Sequence, residues 1–229
     1  MARPSGSRSA GGVFVTGTDT HVGKTVVSAA LLCRYRRDAA LRYWKPVQTG
    51  IEQDDDTADV RRLAACADRE ILTEGVRLPA PLSPHLAAKL GGSTIDLDRL
   101  MAVIEAQPST DRWIVEGAGG VLVPLNGSDL MIDLMVRLGF AAVVVARSGL
   151  GTINHTLLTL QALGSRALRV AGVVMVGPPD RENRLAIERH GRVSVVGELP
   201  TLDPLAPEAL GRWAETFLDA DGRLLEFLR

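Results

Sequence analysis

The sequence predicts an α/β fold, a doubly wound, mainly parallel sheet with helices on both faces. Short apolar, β-branched segments alternate with helix-patterned segments along the chain. The predicted strands are almost continuously apolar, which calls for cover on both faces and places ligands at their carboxyl ends. The first strand also runs into a glycine- and threonine-rich loop that ends in Gly23-Lys24-Thr25. In such a loop successive backbone N–H groups and a helix N-terminus face an anion, Lys24 reaches the outer phosphates, and the Thr25 hydroxyl can ligate Mg²⁺. These features define a P-loop NTPase fold and a nucleoside triphosphate ligand.

Taken in order, residues 13–16 read as the first strand and 26–36 as the helix that follows the loop. Residues 41–47 form the next strand and 57–67 the next helix, preceded by an acidic run suited to a helix N-terminus. The Pro- and Gly-rich stretch 79–92 reads as a surface excursion with one short helix. A strand at 113–115 and a helix at 129–138 follow, then a buried strand at 140–146 and a helix at 153–163. The pattern closes with a strand at 170–176, a helix at 181–189, a strand at 193–196 and a helical region from Pro207. Residues 1–10 read as a disordered tail, and residues 11–229 as one P-loop α/β domain.

Of the 229 residues, 46% are hydrophobic and 23% charged, with a net charge of −1, an ordinary globular composition. There is no apolar run long enough to span a bilayer, and no long-range positive field to attract nucleic acid. Arg3 and Arg8 precede no apolar leader segment, so a cytoplasmic location is expected, with Cys33 and Cys66 reduced and serving as packing residues. Only three of the 26 basic residues are lysine, Lys24, Lys45 and Lys89, and the first two fall in candidate motifs. A lysine kept in so arginine-rich a chain points to a need for a compact ammonium. The four histidines lack metal-site spacing, and no serine sits in a nucleophile elbow, so neither zinc nor covalent catalysis is expected.

Beyond the loop, Trp44-Lys45-Pro46-Val47-Gln48-Thr49-Gly50 lies at the end of the second predicted strand, where Lys45 would face the phosphates. Asp54-Asp55-Asp56 offers both a helix cap and a carboxylate for Mg²⁺, roles that are compatible. Ile114-Val115-Glu116-Gly117-Ala118-Gly119-Gly120 delivers an acid from an apolar strand into a glycine run, the position of a Walker-B carboxylate. Ser148-Gly149-Leu150-Gly151-Thr152-Ile153-Asn154 is either a second anion site or a plain βα turn with Thr152 as the helix N-cap, and composition does not separate the two.

Together, Gly17-Thr18-Asp19-Thr20-His21-Val22-Gly23-Lys24-Thr25, Lys45-Pro46-Val47-Gln48-Thr49-Gly50, Val115-Glu116-Gly117-Ala118-Gly119-Gly120 and Leu150-Gly151-Thr152-Ile153-Asn154-His155 resemble dethiobiotin synthetase. The resemblance spans about residues 12–202. It implies a cytoplasmic homodimer that converts 7,8-diaminononanoate, CO₂ and ATP into dethiobiotin, ADP and phosphate through a carbamate and a carbamic–phosphoric anhydride. It further implies that Lys24 and Lys45 are catalytic and that Thr25, Asp56 and Glu116 hold Mg²⁺. The nucleotide would lie against Thr20, His21, Val22, Gly23, Lys24, Thr25, Val26, Asp56, Glu116, Gly117, Ala118, Gly119, Pro200, Thr201 and Leu202. The diamine would lie against Thr20, Lys45 and Thr49, with Leu150, Gly151, Thr152 and Asn154 of a second copy taking its distal carboxylate.

The chain departs from this family where an asparagine amide often meets the base, since residues 173–178 read Val-Val-Met-Val-Gly-Pro. Relaxed base choice is therefore expected. The competing function is a partitioning-type P-loop ATPase switch. That class carries a lysine just after the first glycine of the loop, where this chain has Thr18-Asp19.

Overall fold

The computed structural model describes residues 11–228, so the tail expected at residues 1–10 lies outside the described residues. Within the described residues nine strands and eight α-helices follow in chain order. The first half runs β1 (Gly12–Gly17), α1 (Lys24–Tyr35), β2 (Leu41–Trp44), β3 (Val47–Thr49), α2 (Asp56–Leu63), β4 (Ile71–Leu72), β5 (Val76–Leu78), α3 (Pro84–Leu90) and α4 (Leu97–Glu105). The second runs β6 (Arg112–Gly120), α5 (Met131–Leu138), β7 (Ala141–Arg147), α6 (Thr152–Ser165), β8 (Val170–Val176), α7 (Arg181–Gly191), β9 (Val195–Leu199) and α8 (Pro207–Phe217).

Seven strands form one sheet in the order β4-β2-β6-β1-β7-β8-β9, and every pairing in it is parallel. The order changes direction around β1, which opens a crevice beyond the carboxyl ends of the central strands. Alternate residues of each strand enter separate cores. Val13, Val15, Ile114, Val143 and Val145 pack with α1, α2 and α8, whereas Phe14, Trp113, Val115, Ala142 and Val144 pack with α3 to α7. Both faces are therefore covered, as the apolar strands require.

The segment expected as one strand over residues 41–47 breaks after Trp44. Pro46 has no N–H to give a ladder and so ends the pairing. β3 departs to pair in parallel with β5, forming a second sheet of two strands. The carbonyls left at the break are satisfied locally, with Lys45 O accepting from Arg77 Nη1 (2.8 Å) and Pro46 O from the Val76 amide (2.9 Å). The excursion over 79–92 does carry one short helix, α3.

The chain's two tyrosines are both buried and both donate to a buried carboxylate. Tyr35 donates to Asp219, which also accepts from the amides of Arg223 (3.0 Å) and Leu224 (2.7 Å), so the C-terminal turn is fastened to α1. Tyr43 donates to Glu116 (3.0 Å). Burial and the Asp219 hydrogen bond push the Tyr35 phenol above its ordinary value, and burial with the Glu116 charge raises that of Tyr43.

The Asp219→Ala change strands three donors, two of them buried, and is expected to cost about 3 kcal/mol of unfolding free energy, measured by urea denaturation. A second expectation concerns alkaline pH. Each folded phenol holds its proton more tightly than the unfolded one, so this stabilisation is complete below pH about 10 and declines as pH rises above it. Tyrosinate absorbance should therefore stay flat above pH ~10 until the protein unfolds, with both groups then ionising together.

Candidate active site

The loop after β1 owes its shape to a few backbone constraints. A side chain at Gly17 would lie 2.7 Å from Asp19 O, so the chain can turn there only without one. Gly23 caps α1 in the left-handed region at φ 97°, with His21 also left-handed at φ 54°. The Thr18 amide donates to Val145 O of β7 (3.0 Å), and Arg147 pairs with Asp19 (2.5 Å), which ties the loop to the neighbouring strand. Val22 and Lys24 are buried, Gly23, Thr25 and Val26 are half-buried, and Thr20 and His21 are exposed.

Four of the expected residues meet beside this loop. Lys45 Nζ lies 2.6 Å from Asp56 Oδ2, 2.7 Å from Glu116 Oε1 and 3.1 Å from Gly117 O. Thr25 Oγ1 donates to Asp56 Oδ1 (2.7 Å) and approaches Glu116 Oε1 (3.1 Å). The other Glu116 oxygen, Oε2, accepts from Ser28 Oγ (2.9 Å) and Tyr43 OH (3.0 Å). Glu116 is wholly buried and Lys45 is 2% exposed. The two possible uses of the acidic run are divided between adjacent residues, since Asp55 caps α2 by accepting from the Ala58 amide (3.0 Å) and Asp56 turns inward.

Burial opposes a charge on Lys45, but the Glu116 and Asp56 carboxylates outweigh it and hold its pKa above the ordinary value. For Asp56, burial acts upward and is overcome by the Lys45 charge and hydrogen bond, so its pKa falls. Lys24 differs. Burial, reinforced by the Lys45 charge, lowers its pKa, and among the described residues its Nζ meets only a backbone acceptor, Asp19 O at 3.2 Å. Two buried ammonium groups close enough to repel make a setting that an anion relieves.

Two carboxylates and a hydroxyl are the hard, few-membered oxygen set that Mg²⁺ takes, so Thr25, Asp56 and Glu116 suit that ion. The larger clusters typical of other metal centres do not occur, since among the described residues no group of three or more His, Cys, Asp or Glu could hold an ion.

The remaining expected residues are distributed around the same end of the sheet. Gly117 and Ala118 are buried and Gly119 half-buried on β6, and a Cβ at Gly117 would come within 2.8 Å of Phe14. Thr49 ends β3 and is half-buried. Pro200, Thr201 and Leu202 follow β9, whose Leu199 O accepts from the Gly177 amide (2.9 Å). Past β8 no side-chain amide occurs at 176–178, and that of Asn183 is engaged by Ser148 O (2.8 Å) and Asp180 Oδ2 (2.9 Å).

Leu150 is fully exposed and Gly151 and Asn154 are also exposed, with no hydrogen bond or ion pair to the Lys45 cluster among the described residues. Helix α6 is capped by Gly151 and not by Thr152, because a glycine at φ 92° makes the turn without strain. The Thr152 hydroxyl lies buried and unpartnered one residue later. Sequence reasoning missed Ser28, Tyr43 and Arg147. The spacing held a clue, since Ser28 follows Thr25 by one helical turn and Tyr43 precedes Lys45 by one strand period.

A family model described as an AAA domain matches residues 11–209. The chain is 54% identical over 192 residues to the ATP-dependent dethiobiotin synthetase BioD of Paramagnetospirillum magneticum, covering 83% of this chain and 88% of that protein. It is 47% identical over 214 residues to the biotin biosynthesis bifunctional protein BioCD of Bordetella avium, covering 93% of this chain and 44% of that relative's length. Among solved structures, a ParA family ATPase from Chlorobium tepidum TLS covers 91% of this chain and 98% of its own at TM-score 0.58 and 10% identity, a likeness of fold alone. Identity of this extent over most of both chains, on a P-loop sheet carrying the Lys45 cluster, places the chain in the ATP-dependent dethiobiotin synthetase family.

Proposed function

We propose that this chain is an enzyme that carboxylates 7,8-diaminononanoate with CO₂ and closes the ureido ring of dethiobiotin, consuming a nucleoside triphosphate. The observation that supports this reading most is the buried Lys45 ammonium, which stands beside both the phosphate loop and the Asp56–Glu116 pair. One substrate amine takes up CO₂ and loses a proton to give a carbamate. A carbamate oxygen then attacks the γ-phosphorus and breaks its bond to the bridging oxygen, releasing ADP. The second amine attacks the carbonyl carbon, phosphate departs, and a proton leaves the new nitrogen.

Such chemistry asks the protein mainly to align anions and offset their charge. Lys24 reaches the phosphates, and Lys45 serves the carbamate and the γ-phosphate. Thr25, Asp56 and Glu116 would hold Mg²⁺, which offsets charge on the phosphate oxygens. The loop amides from Thr20 to Val26 and the backbone of Gly117, Ala118 and Gly119 border the nucleotide, and Pro200, Thr201 and Leu202 its base. Thr20 and Thr49 contact the nitrogen-bearing end of the diamine. Leu150, Gly151, Thr152 and Asn154 of a second copy receive its carboxylate at the N-terminus of α6, an end of a helix that suits an anion. We read the enzyme as a cytoplasmic homodimer; no described helix is long and apolar enough to cross a membrane.

Purified protein given the diamine, bicarbonate, Mg²⁺ and ATP should form dethiobiotin detectable by mass. Phosphate release that ignores the diamine would instead favour the ATPase-switch reading. Replacing the ammonium in Lys45→Ala should lower turnover about a thousandfold with the far-ultraviolet dichroism retained. With no free amide past β8, ATP, CTP and GTP should support kcat/KM within about tenfold of one another. A strong preference for ATP would show that other groups read the base.

A further inference from the structure

The two oxygens of Glu116 have separate company. Oε1 faces Lys45 Nζ (2.7 Å) and Thr25 Oγ1 (3.1 Å), toward Asp56. Oε2 faces the other way and accepts two hydroxyl protons, from Ser28 on α1 (2.9 Å) and from Tyr43 on β2 (3.0 Å). Ser28, Tyr43 and Glu116 are each 0% exposed.

The final torsion of a glutamate is broad and nearly two-fold, so the side chain does not itself decide whether it offers a cation one oxygen or two. A carboxylate oxygen has about two lone-pair sites, and those of Oε2 are both in use. If Oε2 turned toward a cation, two hydroxyls shielded from bulk solvent would lose their acceptor, each at a substantial desolvation cost.

We propose that Tyr43 and Ser28 are positioning residues that hold Glu116 as a one-oxygen ligand and so make the site favour magnesium over calcium. The inference rests on the metal role given to Glu116 above. The two ions differ in what they ask of a carboxylate. Mg²⁺ is small, demands near-octahedral geometry and keeps several waters, so one oxygen from each acid suffices. Ca²⁺ gathers more oxygens and readily takes a carboxylate through both. A clamp on Oε2 denies calcium the extra oxygen and costs magnesium nothing.

The test uses Mn²⁺ as the probe, with the non-hydrolysable β,γ-imido analogue of ATP and no diamine. Bound Mn²⁺ is followed by electron paramagnetic resonance while Mg²⁺ or Ca²⁺ displaces it. The unaltered protein should release Mn²⁺ at much lower Mg²⁺ than Ca²⁺. In the double variant Tyr43→Phe/Ser28→Ala the ratio of the two displacing concentrations should move about tenfold toward calcium, with Ser28→Ala alone moving it less in the same direction.

General loosening of the fold would lower the melting temperature and leave that ratio in place. An unchanged ratio in folded variants overturns the proposal, as does failure of the unaltered protein to bind Mn²⁺ with the nucleotide. If the Tyr43→Phe variants lack native dichroism, Ser28→Ala alone decides by the same criterion. Because no diamine is present, these outcomes are independent of whether dethiobiotin forms.

Discussion

A lysine ammonium withdrawn from water is tolerable only where charges of opposite sign meet it at bonding distance, and Lys45 imposes that condition on the whole carboxyl edge of the sheet. The chain must break β2 to bring the lysine to the strand end, start α2 so that Asp56 faces inward, and carry Glu116 into the middle of β6. Each requirement has a local cause: Pro46 ends the pairing, Asp55 takes the cap and frees its neighbour, and Gly117 leaves room against Phe14. Loss of either acid would still leave Lys45 paired with the other, whereas loss of the lysine would set two carboxylates side by side without the charge that offsets them.

The site also depends on which face of the sheet its residues choose. Leu41, Tyr43 and Lys45 alternate onto the side of α1, as do Ile114 and Glu116 on the neighbouring strand. Thr25 and Ser28 face them from α1 one helical turn apart. The layer between sheet and helix therefore changes character along its length, apolar at Val27, Leu31 and Leu41 and fully hydrogen-bonded around Glu116. Continuity with a close-packed core keeps the polar end fixed.

Much of this was legible because the signals were short and local. The β/α alternation carried the parallel sheet, and glycine runs beside Lys24 and Glu116 marked the places where strands hand over to phosphate-binding loops. Asp56 stood among three adjacent acids, and only the register of α2 separates the one that caps from the one that reaches Lys45. β4 has two residues and pairs only with β2, too short for a periodicity to appear. Helix α4 was passed over although Asp96 caps it, because it lies beyond a Pro/Gly-rich stretch that reads as loop. Ser28 and Tyr43 were hidden for a different reason: in an apolar helix and an apolar strand a hydroxyl reads as ordinary packing until the acid between them is seen.

The scarcity of lysine has a practical consequence at the surface. Among the described residues Lys24 and Lys45 are only 7% and 2% exposed, and Lys89, near the end of α3, is the one exposed lysine. Lysine ε-amino chemistry applied to the folded protein, whether a dye, a tether or a solid support, is thereby offered one freely accessible side chain, Lys89. Molecules coupled through it would all stand in the same orientation, on a helix away from the Lys45 cluster.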